Sequence, residues 1–168
     1  MKPVSLLACI VLVGLATSVM ALTSAECAQA GRDDAFSVLP VGKVNKELGA
    51  TTIEIYKAYA DALLGLDQFS HLVVLYWFDK NDTPEQRKTL RVHPRNNLTN
   101  PLTGVFATRS PRRPNLIGLS VCKILSVKKN VIRIDSIDAF DGTPVLDLKP
   151  YVPRMDEVRD ASGPKWAK

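Results

Sequence analysis

Cysteine and histidine are scarce in this chain: three cysteines and two histidines in 168 residues. Cys9 and Cys27 fall in the N-terminal segment, which leaves Cys122 as the one thiol of the remainder. A single thiol makes no internal disulfide, so no covalent framework is expected. His71 and His93, without paired cysteines, offer no zinc-ligand spacing, and no metal is expected. No G-x-G-x-x-G follows a strand pattern, which argues against a Rossmann-type nucleotide site. Repeats and low-complexity stretches are absent as well.

What is present fits an ordinary globular domain, with 46% hydrophobic and 23% charged residues. A chain of this size buries roughly 70% of its unfolded surface as one domain. The net charge of +5 permits an anionic partner without demanding one. Basic residues cluster at Arg87, Lys88, Arg91, His93 and Arg95, then at Arg109, Arg112 and Arg113. A fold that joins these loops would present a phosphate-facing surface, and the alternative is a solvated basic face.

The N-terminus has the outline of a secretory signal peptide. Lys2 precedes an apolar run over residues 6–13, and Ala28-Gln29-Ala30 supplies a small-x-small site before Gly31. The run is short and interrupted for a membrane span. Glu26 before Cys27 argues against a lipoprotein site. Residues 1–30 are therefore expected to be cleaved, with export to the periplasm or the outside. A retained N-terminal anchor is the second reading, and a start codon placed too early, with a cytoplasmic protein, is the third. The division that follows is 31–156 for the folded domain and 157–168 for a polar, loosely packed tail.

Along the chain, residues 38–44 suggest an edge strand and 51–55 a half-buried strand by alternation. A short helix is expected over 57–64, closed by Gly65. LVVLYWF at 72–78 is continuously apolar and predicts a central strand buried on both faces. Residues 79–101 form a polar excursion with one short strand at 89–92. Strands are expected at 104–107, 117–127, 131–137 and 145–148, with Asp141-Gly142 as a turn. Many short strands and a single helix indicate a mainly β domain, closed into one small β-barrel.

Residues 104–120, GVFATRSPRRPNLIGLS, carry three arginines, Arg109 just before Pro111 and Arg112 and Arg113 between Pro111 and Pro114. Pro111 and Pro114 fix their own φ and extend Ser110 and Arg113, so the guanidinium groups sit on a stiff, non-helical segment. Arginine's planar fork fits a carboxylate or phosphate. A second segment, residues 135–153, reads DSIDAFDGTPVLDLKPYVP, and a third, residues 60–81, reads ADALLGLDQFSHLVVLYWFDKN. Together these resemble the TrmO (TsaA-like) family of S-adenosylmethionine-dependent tRNA methyltransferases, over residues 41–156.

The resemblance implies a small β-barrel pairing as a homodimer, with S-adenosylmethionine bound near the subunit interface. It implies tRNA as partner and N6-methylation of threonylcarbamoyladenosine beside the anticodon. Arg109 matches a cofactor-binding arginine, its alternative partner being Asp138 or Asp141. Leu119 matches a position where the strand backbone lies against the cofactor, although a core leucine would look the same. Asp141, Gly142, Thr143 and Pro144 match the family's cofactor-contacting turn, against the alternative of a plain hairpin turn. Asp79 and Lys80 stand where relatives often carry a histidine-containing pair.

Arg112, Arg113 and Asn115 fall on the nucleic-acid side, although Asn115, like His71, reads as structural ahead of catalytic. No general base stands out, and Asp138 and Asp141 are the nearest candidates. Two departures are notable: VNKELGATT at 44–52 replaces the family's proline-arginine-glutamine motif, and the C-terminal extension of larger members has no counterpart after Pro153. The competing function is an exported, non-catalytic barrel that binds a nucleoside-like ligand. Methylation of another small molecule is a third.

Overall fold

A computed structural model describes residues 36–47 and 49–167. The export-signal reading of residues 1–30 lies outside the described residues. The folded unit begins at Val38.

Its first hairpin pairs β1 (Gly42–Glu47) with β2 (Ala50–Ile55), turning through Gly49 at φ +79°. The strand expected at 38–44 is thus displaced toward the turn. The segment expected to be a helix is a 3-10 helix, Lys57–Leu63, and Gly65 follows it in the left-handed region. β3 (His71–Trp77) leads to a 3-10 turn at Asp79–Asn81 and a one-turn helix, α1 (Pro84–Arg87). Thr83 caps α1, its hydroxyl accepting from the Gln86 N–H at 3.3 Å.

β4 (Arg91–Val92) pairs with β5 (Thr103–Gly104) as a separate two-stranded ribbon. The strand expected at 104–107 is mostly a 3-10 turn, Val105–Ala107. β6 (Ile117–Lys128) and β7 (Val131–Ile134) form a hairpin through Lys129 at φ +54°. After β8 (Pro144–Pro150) come a second one-turn helix, α2 (Pro153–Asp156), and a 3-10 turn at Lys165–Ala167. The single helix expected from sequence is present as the 3-10 helix Lys57–Leu63, which gives Leu63 to the core, and further short 3-10 and α turns accompany it.

Six strands close into a barrel in the order β1-β2-β7-β6-β3-β8, as the mainly β reading requires. Closure leaves no unpaired edge. β6 is long enough to pair with β3 through its first half and β7 through its second. A register shift between Ile124 and Ser126 bends it between the two. Alternate residues point inward, so Val44, Ile53, Leu72, Val74, Ile132, Ile134 and Val145 fill the interior.

β3 is not buried on both faces. Leu72, Val74 and Tyr76 are inside, whereas Val73, Leu75 and Trp77 are half-buried outside. Those outward residues stand opposite Val121, Leu119 and Ile117 of β6. The continuous apolar run therefore records an apolar outer wall, not a second covered layer. The Asp141-Gly142 turn is not a hairpin either, because β7 pairs with β2 and β6 while β8 pairs with β1 and β3. The segment between β7 and β8 instead crosses to the other side of the barrel.

Candidate functional site

That crossing segment is held by the barrel. The Lys46 Nζ donates to the Ile137 carbonyl at 2.9 Å, and the Tyr76 hydroxyl donates to the Asp138 carbonyl at 2.9 Å. The Lys46 backbone N–H donates to Asp141 Oδ1 at 2.8 Å, and the Gly142 N–H to the Val44 carbonyl at 2.8 Å. Gly142 sits at φ +78°, where a side chain would be strained. Tyr76 also meets the Ser120 hydroxyl at 3.4 Å and packs edge-on to Phe78. Burial pushes the Tyr76 hydroxyl's pKa up. The Ser120 hydrogen bond opposes this, nearby Asp138 adds to it, and Arg109 offsets it weakly.

The stiff arginine segment is fastened from the other side. Arg87 grips Asp82 with two hydrogen bonds, from Nε at 2.7 Å and Nη2 at 3.0 Å, and donates from Nη1 to the Pro114 carbonyl at 3.2 Å. Its guanidinium lies 5.2 Å from the Trp77 ring centroid, and the Trp77 indole N–H donates to Asp82 at 3.0 Å. The hydrogen bonds from Arg87, then from Trp77, hold the Asp82 carboxyl below its ordinary pKa. One arginine thus ties the end of β3 to the loop that carries Arg109.

Between the two fastened segments lies a cleft of about 670 Å³. Arg109, Leu119, Asp79, Lys80, Asp138 and Thr143 all line it, so the arginine loop and part of the crossing segment meet there. Arg109 makes no ion pair with Asp138 or Asp141, so neither alternative partner engages it. Leu119 is not a core leucine, being 42% exposed on the outer wall of β6.

Asp141, Gly142 and Pro144 do not line the cleft. Asp141 is occupied by the Lys46 N–H, and these residues shape the turn that presents Asp138 and Thr143. Arg113 and Asn115 line neither this cleft nor the one beside it; Arg113 reaches back to the Val105 carbonyl at 3.4 Å. Arg87, counted among the phosphate-facing arginines from sequence, is taken up by the Asp82–Trp77 clamp. His71 pairs with the Ser70 hydroxyl and the edge of Tyr151, a structural role.

Sequence reasoning missed Lys46, Tyr76, Ser120 and Phe140 as cleft residues. Tyr76 carried a signal, since a hydroxyl inside an apolar strand must find a partner. Phe140, 67% exposed, carried one too, as an aromatic beside a turn. Lys46 carried none.

A second cleft, of about 1050 Å³, adjoins the first and shares Arg109, Pro111 and Asp138 with it. Arg112 lies here, with Arg91, His93 and Arg95. Trp166 and Ala167 close one side, so the tail expected to be loose contributes to a wall. Among the described residues, no group of three or more His, Cys, Asp or Glu could hold a metal.

A closed antiparallel barrel with a cation, carboxylates and apolar wall residues around one outer cleft defines a ligand-binding barrel without a Rossmann sheet. Residues 38–157 match the family model for the tRNA-methyltransferase O N-terminal domain, and the chain belongs to that TrmO family. A probable S-adenosyl-L-methionine-binding protein of Methanocaldococcus jannaschii is 45% identical over 70% of this chain and 93% of its own length. The human tRNA (adenine(37)-N6)-methyltransferase is 43% identical over 61% of this chain, which spans only 23% of that enzyme. The crystal structure of TrmO from Pseudomonas aeruginosa superposes with a TM-score of 0.61 at 33% identity. That match covers 76% of this chain and 61% of the solved one, so the chain spans less than two thirds of that relative.

Proposed function

We propose that this protein is an S-adenosylmethionine-dependent tRNA methyltransferase that methylates the exocyclic N6 of an adenosine beside the anticodon, in its threonylcarbamoyl form. The observation that carries this reading is the placement of Arg109 and Asp138 on the wall shared by two clefts, one suited to the methyl donor and one open to an acceptor. The residues fit the cofactor. Its volume class matches a cleft of this size, Arg109 offers a planar fork for the carboxylate, and Asp79 offers a partner for the ammonium. Leu119, Val121 and Phe140 supply apolar surface for the adenine and thioether.

When bound, the cofactor supplies a methyl group already activated on a sulfonium. The protein's contribution is therefore alignment and one proton. Arg109, on a segment stiffened by Pro111, fixes the donor end. Asp138 faces both clefts and accepts the proton that leaves the N6 nitrogen as the nitrogen–carbon bond forms. Its backbone is fixed by Tyr76 and its neighbour's carbonyl by Lys46, so the carboxylate is presented without reorganisation.

A homodimer is part of the same reading. Ile117, Leu119, Val121 and Leu125 leave an apolar stripe along β6, each between 42% and 50% exposed. Two of them line the donor cleft, so a second copy laid on the stripe would also cover it. Activity on tRNA needs the domain on the cytoplasmic side, whereas the N-terminal signal pattern reads as export. Cell fractionation with mapping of the mature N-terminus tests this, and a cleaved, exported protein would refute it.

Calorimetry of S-adenosylmethionine on the protein tests the central reading. Arg109→Ala is expected to weaken binding by about 1.5–3 kcal/mol through loss of a charged hydrogen bond. No heat with the unaltered protein would leave a non-catalytic barrel.

A further inference from the structure

Two segments build the second cleft, and apart from Arg109 and Pro111, which line both clefts, neither takes part in the donor site. The first runs from Arg91 to Leu102 and the second from Phe106 to Arg112. The β4–β5 pairing joins them, with Arg91 opposite Gly104 and Val92 opposite Thr103. The first segment is pinned internally: His93 Nδ1 pairs with the Asn100 carbonyl at 2.8 Å, and the Asn100 side chain donates to the Pro94 carbonyl at 2.9 Å. The cleft therefore has fixed walls before any ligand arrives.

Its chemistry is one-sided. Arg91, Arg95, Arg109 and Arg112 line it against a single carboxylate, Asp138, at the junction with the donor cleft. Beside these cations stand two aromatic rings. Phe106 is 80% exposed, an unusual state for a phenylalanine with no ring partner among the described contacts. Trp166 is half-buried on a 3-10 turn and contributes the second ring. Cations that attract phosphates, next to aromatic faces that stack bases, are the combination that binds single-stranded nucleic acid.

We propose that this second cleft seats the acceptor strand as single-stranded RNA. The base stacks against the Phe106 and Trp166 rings, and the flanking phosphates lie on Arg91 and Arg112. The inference rests on the methyltransferase reading for the identity of the strand, and it adds the residues that hold it. Stacking is indifferent to base identity, so these rings supply affinity and posture. The junction at Asp138 selects the base whose exocyclic nitrogen reaches the donor cleft.

The test uses the full chain and a fluorescein-labelled hairpin RNA with a single-stranded loop, read by anisotropy. Phe106→Ala and Trp166→Ala are each expected to weaken binding about tenfold, and Trp166→Phe is expected to restore most of it. Arg91→Ala and Arg112→Ala should each lower the salt dependence of log K by about 0.7. S-adenosylmethionine binding by calorimetry should be unchanged in Phe106→Ala and Trp166→Ala, since neither ring lines the donor cleft. Unchanged RNA affinity in both aromatic variants, or equal affinity for the same sequence as a full duplex, would overturn the proposal. Absence of cofactor heat in the unaltered protein, with the aromatic effects intact, would overturn the methyltransferase reading and leave the RNA cleft standing.

Discussion

Tyr76→Phe isolates the hydroxyl that links the barrel interior to the site. The ring stays, keeping its edge contact with Phe78 and its place beneath Gly118. Only the oxygen leaves, together with its 2.9 Å donation to the Asp138 carbonyl and its longer contact with Ser120. A net hydrogen bond contributes about 0.5–1.5 kcal/mol, and an orphaned buried acceptor costs more. Asp138 is exposed, so water can reach its carbonyl and the lower range applies. The expected loss is about 1 kcal/mol, which for a domain of this size lowers Tm by roughly 3–5 °C.

Urea unfolding followed by circular dichroism measures the stability loss, with the m-value unchanged. The second readout is calorimetry of S-adenosylmethionine, where the freed Asp138 segment should weaken binding severalfold. Stability and affinity both equal to the parent's would refute the reasoning, because the hydroxyl would then hold nothing. A loss of stability with intact affinity would detach Asp138 from the cofactor.

Gly118→Ala would place a methyl group under 3.0 Å from three ring carbons of Tyr76, and is expected to cost about 1–3 kcal/mol in thermal or urea unfolding. An unchanged midpoint would mean that the ring slides aside freely. Arg87→Lys removes the forked grip on Asp82, so amide exchange over residues 109–116 should rise severalfold, and unchanged exchange would show that the clamp is idle. Burial, with a smaller push from Asp135, raises the Cys122 thiol to about 11 from 9.0. The native state then keeps this proton between pH 9 and 11 while the unfolded chain releases it. Stability accordingly falls as pH rises through that window, by about 2–3 kcal/mol, with Tyr76 adding to the fall above pH 10. Cys122→Ala should flatten the decline below pH 10, and thiol reagents should react with the native protein at pH 8 only as fast as it opens.

Much of this was legible in the chain because the relevant physics is local. Alternation at 51–55 and 131–134 marked barrel strands, and prolines around Arg112 and Arg113 marked a stiff, extended loop. Other readings failed where a local pattern has two tertiary causes. A continuous apolar strand can be sandwiched between layers, or it can have a filled interior on one side and an apolar outer wall on the other. Residues 72–78 turned out to be the second kind. Asp-Gly can close a hairpin, or it can end a crossing segment whose strands pair elsewhere, as Asp141-Gly142 does.

By itself, then, the amino-acid order determined the mainly β character, the stiff cationic loop and the family to which the motifs belong. All of these follow from side-chain period, proline's locked φ and contiguous residues. Which cations are free to meet a ligand was decided only by the tertiary structure. Arg87 is spent on Asp82 and Trp77, Arg113 turns back to its own loop, and Arg109 is left on the wall between two clefts. Hydrogen bonds from Lys46 and Tyr76, distant in sequence, bring Asp138 to that same wall. Convergence of this kind depends on strand pairing between residues about 60 to 90 positions apart, which no local pattern encodes.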